Sequence, residues 1–211
     1  MEIADIRKEY SLQTLDITDV EKSPLDQFKN WFGEVLNSQV LEANAMNLST
    51  IDKNGRPNSR IVLLKGVDHG FVFFTNYSSV KGSELADNPF VAATFHWAEL
   101  ERQVRISGKV EKISSEESDE YFFSRPFSSQ IGAWVSPQSQ EIPNREFLEI
   151  KEKELNKKLT PETIKRPEHW GGFRIIADQI EFWQGRPSRL HDRILYVLQN
   201  SGDWKISRLA P

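Results

Sequence analysis

The stretch Ala45-Met-Asn-Leu-Ser-Thr-Ile-Asp-Lys-Asn-Gly55 decides the fold, because apolar and polar residues alternate along it as far as Ile51. A period of two is typical of a strand with one buried face. The run Asp52-Lys-Asn-Gly55 predicts a tight turn, and the alternation resumes over residues 58–65. The segment is therefore a predicted β-hairpin.

Further strands are predicted downstream of this hairpin, where short apolar or alternating runs are separated by turns. They cover residues 71–76, 90–97, 102–113, 172–177, 179–184, 193–199 and 204–209. Helical patterns precede the hairpin behind the capping pair Ser23-Pro24 and interrupt the strands at residues 79–87, 114–125 and 144–159. Many strands joined by short turns favour a mainly β fold with helices (α+β), an antiparallel β-barrel, over a parallel doubly wound sheet.

The composition excludes several classes of protein. The 211 residues include 27 Lys and Arg against 31 Asp and Glu, a formal net charge of −4, which argues against a dedicated nucleic-acid surface. No apolar run is long enough to span a bilayer, so no membrane partner is expected. The absence of cysteine excludes disulfides, thiolate metal sites and a cysteine nucleophile, and it fits a reducing, cytoplasmic location. The length favours a single domain over residues 23–211, behind a polar stretch, residues 1–22, that predicts a flexible arm.

The usual catalytic motifs are absent from the sequence. No GxGxxG, P-loop or GxSxG pattern occurs, so neither a dinucleotide-binding turn nor a nucleophile elbow is supported. The histidines are scattered without an i, i+4 pair, and no metal site is expected. They are His69, His96, His169 and His191.

Cationic residues beside the predicted strands are the first informative feature. Arg60 and Lys65 bracket an apolar run, and their odd separation places them on opposite faces of a regular strand. They are either solvated strand ends or the rim of a pocket for a phosphate or carboxylate. Lys81 could join such a pocket, since it follows a cluster of hydroxyl and amide side chains at residues 75–79, near a helix start.

A second cluster surrounds the predicted end of the helix over residues 114–125. Tyr121 and Arg125 are four residues apart and would share a helix face, and Ser129 follows the break at Pro126. The three side chains could bind a second phosphate. An arginine meeting the dipole at a helix C-terminus explains the same segment equally well.

The third cluster lies at residues 181–193, which place a tryptophan, a histidine and several arginines in a short loop after a strand. The arginines repel one another unless an anion, or Glu181 and Asp192, neutralises them. Function is favoured here over structure, because loops carry binding residues. Two phosphate-like sites with planar stacking groups suggest two phosphorylated aromatic ligands, for example a flavin mononucleotide (FMN) and a substrate.

Several sequence blocks, in the same order, resemble the pyridoxamine/pyridoxine 5'-phosphate oxidase family over nearly the whole chain. A set of ordered blocks is far more specific than any single one of them. The matching blocks are Asn44-Ala-Met46, Arg60-Ile-Val-Leu-Leu-Lys65, Phe74-Thr-Asn76, Asn88-Pro89, Glu101-Arg-Gln-Val104, Ser124-Arg-Pro126, Ser129-Gln-Ile-Gly-Ala-Trp134, Trp170-Gly-Gly-Phe-Arg174, Ile180-Glu-Phe-Trp-Gln-Gly185, Arg189-Leu-His-Asp-Arg193 and Trp204-Lys-Ile-Ser-Arg-Leu-Ala-Pro211.

The resemblance implies an antiparallel FMN-binding split β-barrel that forms a homodimer, with one FMN at each of two subunit interfaces. It also implies the FMN-dependent oxidation of pyridoxamine 5'-phosphate and pyridoxine 5'-phosphate to pyridoxal 5'-phosphate. In that reaction the C4' carbon delivers a hydride to flavin N5, and O2 accepts the electrons to give hydrogen peroxide. The protein would orient the two rings while the cofactor carries out the redox chemistry.

The resemblance further implies a role for particular residues. FMN contacts are expected at Arg60, Ile61, Val62, Leu63, Lys65, Phe74, Thr75, Lys81 and Gln103, and from the partner chain at Gln138, Ser139, Trp183 and Arg193. Substrate contacts are expected at Lys65, Tyr121, Arg125, Ser129, Arg189, Leu190 and His191, with Arg7 and Tyr10 as a lid. Arg189, which would orient the substrate, and His191 beside it are the expected catalytic pair.

Two departures from the family pattern bear on these expectations. Val80 stands where the family commonly has an arginine before the phosphate-binding Lys81, which predicts weaker FMN binding unless another cation substitutes. Thr14-Leu15 replaces the usual Gly-Leu after the arm tyrosine. A related split-barrel flavin reductase, or a non-catalytic binder of flavin or pyridoxal phosphate, are the alternative functions.

Overall fold

Six antiparallel strands close into a barrel in the described part of the chain, and two further strands extend one wall of it. The computed structural model describes residues 2–6 and 9–211. The strands are β1 (Ala45–Ile51), β2 (Pro57–Val67), β3 (Phe71–Asn76), β4 (Phe90–Trp97), β5 (Arg102–Lys112), β6 (Trp170–Gln184), β7 (Asp192–Leu198) and β8 (Trp204–Leu209). Their order is β3-β2-β1-β4-β5-β6-β7-β8, and β3 also pairs with β6, which closes the barrel. The predicted antiparallel barrel with helices is confirmed.

Five α-helices accompany the strands in the described residues, and α1 and α3 begin behind the capping residues that the sequence indicates. The helices are α1 (Pro24–Asn37), α2 (Val80–Asp87), α3 (Ser115–Ser124), α4 (Phe127–Val135) and α5 (Glu146–Lys158). The Ser23 side chain accepts a hydrogen bond from the Asp26 amide at the start of α1, and Ser114 forms a capping box with Glu117 at the start of α3. These bonds satisfy amides that have no partner within the helix.

Two elements differ from the sequence prediction. The runs 172–177 and 179–184 belong to one 15-residue strand, β6, which stays paired with β5 through a register shift between Ser107 and Gly108. The helix α4 was not predicted at all. Pro126 ends α3, as expected, but it is also the N-cap residue of α4, because its fixed φ suits the position before a helix.

Aromatic rings from α1 and the barrel strands form the centre of the core. The ring of Phe28, fully buried on α1, lies 4.9 Å from that of Phe71, 5.1 Å from that of Phe95 and 6.0 Å from that of Trp97. Burial of each such side chain stabilises the fold by roughly 1.5–3 kcal/mol. The helix α1 is thus fixed against the strands that shape the site.

Residues 9–22 lie along the body of the protein. The amides of Ser11 and Leu12 donate to Oε2 of Glu101 over 2.8 and 3.1 Å, and the Leu15 side chain is buried. The division of the chain at residue 22, the flexibility of the arm and the cytoplasmic location stay predictions. In residues 2–6 and 9–211 no helix has the length and apolar character needed to cross a membrane.

Replacing Gly108 by alanine should destabilise the fold. A Cβ there would lie 2.1 Å from the Ile176 carbonyl oxygen and 2.8 Å from Cα of Ala177, so the backbone at the register shift has to move. The expected loss is about 1–3 kcal/mol in the free energy of unfolding, measured by urea denaturation.

Gly33→Ala is the matched control, because a Cβ at this position in α1 meets nothing within 4 Å. Alanine has the higher helix propensity, so Gly33→Ala should raise the free energy of unfolding by roughly 0.5–1 kcal/mol. An unchanged denaturation midpoint in Gly108→Ala would contradict the close packing of β5 on β6.

Candidate active site

One cavity of about 460 Å³ brings together most of the residues that the sequence singled out. It lies between the strands β2 and β3 and the helices α2, α3 and α4. Residues expected at FMN and residues expected at the substrate phosphate border the same space. Those that line it are Arg60, Ile61, Val62, Leu63, Lys65, Phe74, Thr75, Lys81, Tyr121, Arg125, Ser129 and Gln138.

A half-buried ammonium lies at the N-terminal end of α2, on one side of this first cavity. Nζ of Lys81 is 3.2 Å from both Thr75 Oγ1 and Gln138 Oε1, and 3.5 Å from Ser79 Oγ. Desolvation, and then the nearby positive charge of Arg60, lower the pKa of Lys81. Within the described residues Lys81 forms no salt bridge. A cation and hydroxyls at a helix N-terminus fit a phosphate group, whose negative charge would offset the cost of desolvating the ammonium.

Arg60 on β2 is held by Glu84, a buried carboxylate on α2, the helix that also carries Lys81. Nη2 of Arg60 is 3.0 Å from Oε2 of Glu84, and Nη1 is 2.5 Å from the Thr50 hydroxyl. Burial would raise the pKa of Glu84, but hydrogen bonds from Thr50, Asn58 and Arg60 outweigh it and lower that pKa. Glu84 is not among the residues singled out from the sequence, although it lies three residues after Lys81 and would be its neighbour on the helix surface.

Stacked aromatic rings form another wall of the first cavity. The Tyr121 ring lies 3.9 Å from that of Phe74 at an angle of 23°, and the Phe74 ring lies 5.4 Å from that of Trp170. The Arg125 guanidinium sits 4.6 Å above the Trp170 ring, and Nζ of Lys65 is 6.0 Å from the Tyr121 ring centre. The wall therefore combines flat apolar faces with two cations.

Arg125 has a buried guanidinium nitrogen, Nη1, with no hydrogen-bond partner among the described residues. Desolvation lowers the pKa of Arg125. A buried donor without a partner costs about 1–3 kcal/mol, so this atom points to an anionic ligand. The expectation that Tyr121 and Arg125 share a helix face is wrong in detail, because Arg125 follows the last residue of α3 with extended backbone (ψ 151°). Both nevertheless line the cavity.

A second cavity, of about 550 Å³, lies between the N-terminal segment and the loop after β6. The Tyr10 ring is 5.7 Å from the rings of both Trp183 and His191, which are themselves 4.6 Å apart. Arg189 also lines this cavity, and Leu190 beside it is largely exposed. Among the described residues, the linings of the two cavities have no residue in common.

The loop after β6 is strained where it presents Arg189. Ser188 and Arg189 have φ values of 57° and 61°, the left-handed region that costs a non-glycine residue roughly 1–2 kcal/mol. The Arg186 amide donates to Nδ1 of His191 over 3.1 Å, so the neutral imidazole carries its proton on Nε2. Burial, and then the positive charge of Arg189, lower the pKa of His191.

The arginines of this loop divide into paired and unpaired side chains. Arg193 is bound by Glu181 and Arg186 by Asp192, which confirms the structural role suggested for these two carboxylates. Arg189 is exposed and forms no salt bridge in the described part of the chain. Its charge is therefore free for a ligand.

Three residues expected at FMN form one row across the sheet. Gln103 on β5 is paired with Trp183 on β6, which is paired in turn with Arg193 on β7. Their side chains point to the same face, because directly paired residues in antiparallel strands share a face. The sequence placed them 80 and 10 residues apart, so only strand pairing brings them together.

Comparison with known proteins identifies the family. Residues 32–158 match the family model described as pyridoxamine 5'-phosphate oxidase, and residues 170–211 match the pyridoxine 5'-phosphate oxidase C-terminal dimerisation region. The chain belongs to the pyridoxamine 5'-phosphate oxidase family. Its C-terminal match covers β6, β7 and β8, which carry Trp183, Arg189, His191 and Arg193.

Individual relatives are similar over the full length. The pyridoxine/pyridoxamine 5'-phosphate oxidase of Cupriavidus necator is 54% identical over 211 residues, 100% of this chain and 99% of the relative. The protein of the same name from Trichormus variabilis is 57% identical over 210 residues, 99% and 98% of the two chains. The crystal structure of PhzG from Burkholderia lata 383, in complex with tetrahydrophenazine-1-carboxylic acid, has a TM-score of 0.89 at 28% identity and covers 97% of this chain and 100% of its own.

Expectations drawn from the family pattern for the loop after α4 and for the lid stay open. Gln138 is expected to reach the cofactor from the partner chain, and this stays a prediction. Within its own chain, Oε1 of Gln138 lies 3.2 Å from Nζ of Lys81, because the loop after α4 folds back over α2. Ser139, beside it, borders a smaller cavity of about 260 Å³ together with Val80 and Lys53. Lys53 borders this smaller cavity and not the cavity of Lys81, so whether another cation substitutes for the usual arginine at Val80 stays open. Arg7, half of the expected lid, lies outside the described residues.

Arg189→Ala should raise the pKa of His191 towards its ordinary value. Removing the guanidinium removes a positive charge that disfavours the imidazolium, while the burial of the ring remains. The measurement is an NMR titration of the His191 ring protons in both proteins. Arg145→Ala, which removes an exposed cation at the start of α5, is the control and should leave this titration unchanged. Identical His191 titrations in Arg189→Ala and the parent protein would contradict the electrostatic coupling.

Proposed function

We propose that the chain oxidises pyridoxamine 5'-phosphate and pyridoxine 5'-phosphate to pyridoxal 5'-phosphate, with FMN as cofactor and O2 as electron acceptor. The observation that carries this proposal is the pair of desolvated cations, Lys81 and Arg125, which line one cavity without a carboxylate partner among the described residues. Two such cations beside flat aromatic rings suit two phosphorylated aromatic molecules. FMN and the substrate are two molecules of this kind.

Each phosphate is assigned by the chemistry around its cation. The FMN phosphate would bind Lys81 and the hydroxyls of Thr75 and Ser79 at the N-terminal end of α2, where the helix dipole favours an anion. The substrate phosphate would bind Arg125, Tyr121, Ser129 and Lys65. Arginine offers paired N–H donors that match phosphate oxygens, and the orphaned Nη1 would then have its acceptor.

The remaining residues of the first cavity act on the redox step. When bound, FMN would supply the acceptor for the hydride from C4' of the substrate, and O2 would take up the electrons. With the amine substrate, water would hydrolyse the resulting imine and release ammonia. Arg60, fixed by Glu84 and Thr50, and Lys65 would supply positive potential where negative charge develops on the cofactor. Such preorganised charge lowers the barrier without reorganisation during the reaction.

The second cavity completes the site from a partner subunit. Trp183 and Arg189 line this separate cavity, on β6 and the loop that follows it, within the segment that matches the family's dimerisation region. In a homodimer these groups would face the first cavity of the other subunit, with FMN between them. Arg189 would orient the substrate, and the neutral imidazole of His191 would offer Nε2–H as a donor beside it.

The decisive experiment is a turnover assay on the protein loaded with FMN. With pyridoxamine or pyridoxine 5'-phosphate, we expect pyridoxal 5'-phosphate and hydrogen peroxide in equal amounts, read by absorbance and a peroxidase-coupled dye. NADH consumption without peroxide from either phosphate would indicate a flavin reductase. Bound FMN without turnover of any of these substrates would indicate a non-catalytic binder.

Lys81→Ala should weaken FMN binding about ten- to hundredfold, since a hydrogen bond to a charged group contributes about 1.5–3 kcal/mol. The readout is the FMN dissociation constant of the apo-protein, followed by flavin fluorescence. Lys158→Ala, the same change at an exposed position of α5, is the control. Stoichiometric flavin retained by Lys81→Ala after gel filtration would contradict its phosphate role.

Arg189→Ala should lower kcat/KM strongly while FMN stays bound, because the guanidinium orients the substrate and the cofactor phosphate lies at Lys81. Turnover and the absorption spectrum of bound flavin are measured on the same preparation. Unchanged turnover in this variant would remove Arg189 from the proposed site.

A further inference from the structure

Glu181, a buried carboxylate on β6, binds an arginine on each of the two strands that flank β6. These are Arg105 on β5 and Arg193 on β7, the last residue of the row described above. Oε1 and Oε2 of Glu181 accept hydrogen bonds from Nε and Nη2 of Arg193, over 2.8 and 3.1 Å. Oε2 also accepts from Nη1 of Arg105 over 3.2 Å. Only 6% of Glu181 is exposed, so its negative charge depends on these two cations.

The contacts of Arg193 fix its guanidinium in one orientation. Besides the two bonds to Glu181, Nη1 donates to the Ala210 carbonyl oxygen over 2.8 Å. A guanidinium has five N–H donors, and these bonds use three of them. Two N–H donors of Arg193 therefore remain available. The guanidinium is held by two bonds to Glu181 on one edge and by the carbonyl of Ala210, just after β8, on the other.

The position of Glu181 relates this pair to the candidate site. Glu181 lies two residues before Trp183 on β6, so the two side chains lie on the same face of the strand. Its partner Arg193 is paired across the sheet with Trp183 itself. The carboxylate thus sets where the guanidinium lies relative to the indole.

We propose that Glu181 is a positioning residue, which holds the Arg193 guanidinium in the orientation that binds the flavin. The inference rests on the proposed function and on the expectation from the family resemblance that Trp183 and Arg193 contact FMN. An arginine side chain that is already fixed loses little rotamer entropy on binding, so the pair favours cofactor binding without touching the cofactor. Glu181 also offsets one of the two positive charges that Arg105 and Arg193 bring to this face.

Glu181→Gln tests the proposal with little change in shape. The amide keeps one acceptor oxygen, but it turns an NH2 group towards the N–H donors of Arg193 or Arg105. We expect the FMN dissociation constant of the apo-protein to rise about tenfold, the usual size of coupling for contacting charged groups. Glu181→Asp keeps the charge and should recover part of the affinity. Asp178→Asn, the same change at an exposed position of β6, is the matched control and should bind FMN as the parent does.

A double-mutant cycle separates positioning from a general loss of structure. In an Arg193→Gln background, Glu181→Gln should cause no further loss of FMN affinity, because the side chain that it positions is gone. An equal loss in both backgrounds, or parental affinity in Glu181→Gln, would overturn the proposal. Should Glu181→Gln lower the melting temperature markedly, Glu181→Asp takes its place in the cycle with the same criteria.

The same preparations keep the two proposals distinguishable. Peroxide formation by the parent protein tests the proposed function, whereas the dissociation constants test Glu181. A parent protein that binds FMN without turnover, together with coupling between Glu181 and Arg193, would overturn the function and leave the positioning role. Normal turnover without that coupling would overturn the positioning role alone.

Discussion

The pairing of β6 with β3 is the interaction on which the rest of the structure depends. Residues 170–175 of β6 pair with β3 and close the barrel, while residues 179–184 pair with β7 and carry the extension of the sheet. One continuous strand therefore belongs to both parts. Its first residue, Trp170, lines the first cavity, and Trp183, near its end, lines the second. Residues 173–184 of β6 pair with β5. The sheet therefore fixes how the walls of the two cavities lie relative to each other.

The continuity of β6 also gives the register shift between β5 and β6 a structural role. A strand that passes from a closed barrel into an open extension has to bend, and a local irregularity in the ladder allows this. The backbone of β6 approaches Gly108 so closely that a side chain has no room there. The geometry between the two cavities thus depends on a residue that belongs to neither.

Electrostatic pairing separates structural cations from those that bind ligands. Three largely buried or half-buried arginines are each held by a carboxylate, and these are Arg102 by Glu34, Arg174 by Asp68 and Arg193 by Glu181. Lys81 and Arg125 are also desolvated, but neither has such a partner in the described part of the chain. Desolvating a cation is costly, so a desolvated cation without a counter-ion is a candidate for binding an anionic ligand. Cations that are desolvated and lack a carboxylate partner, rather than charged residues in general, therefore indicate the candidate site.

Local sequence patterns predicted the elements well, because capping and alternation act over a few residues. The starts of α1 and α3 and the hairpin of β1 and β2 follow from such signals. The helix α4 was missed, because Pro126 was treated only as the end of the preceding helix and not as the start of the next. The unity of β6 was missed because the apolar pattern breaks at Asp178 and Gln179. Asp178 is an extra residue in β6 that has no partner on β5, and the strand continues on both sides of it.

The candidate site was predictable as a set of residues and not as an arrangement. Family resemblance supplied the residues, and the structure gathered most of them into two cavities. The short-range pairs of Arg186 with Asp192 and of Arg193 with Glu181 were suggested by the sequence. The pair of Arg174 with Asp68 could not be predicted, because the two residues are 106 positions apart and meet only in the folded sheet. The approach of Gln138 to Lys81 of its own chain could not be predicted for the same reason, since only the fold brings the loop after α4 back to Lys81.

The strained loop of the second cavity is supported by a carboxylate outside the cavity. Asp192 accepts hydrogen bonds from Arg186 of the loop, from Arg208 of β8 and from the Leu15 amide of the N-terminal segment. It thereby ties the strand after the loop to the segment that carries Tyr10. Strain at two consecutive residues persists only where the surroundings over-determine the backbone, and these three bonds supply that constraint. Glu101, which accepts from the amides of Ser11 and Leu12, holds the same segment nearer to Tyr10. The opening between Tyr10 and Arg189 is therefore set by two carboxylates, Glu101 and Asp192.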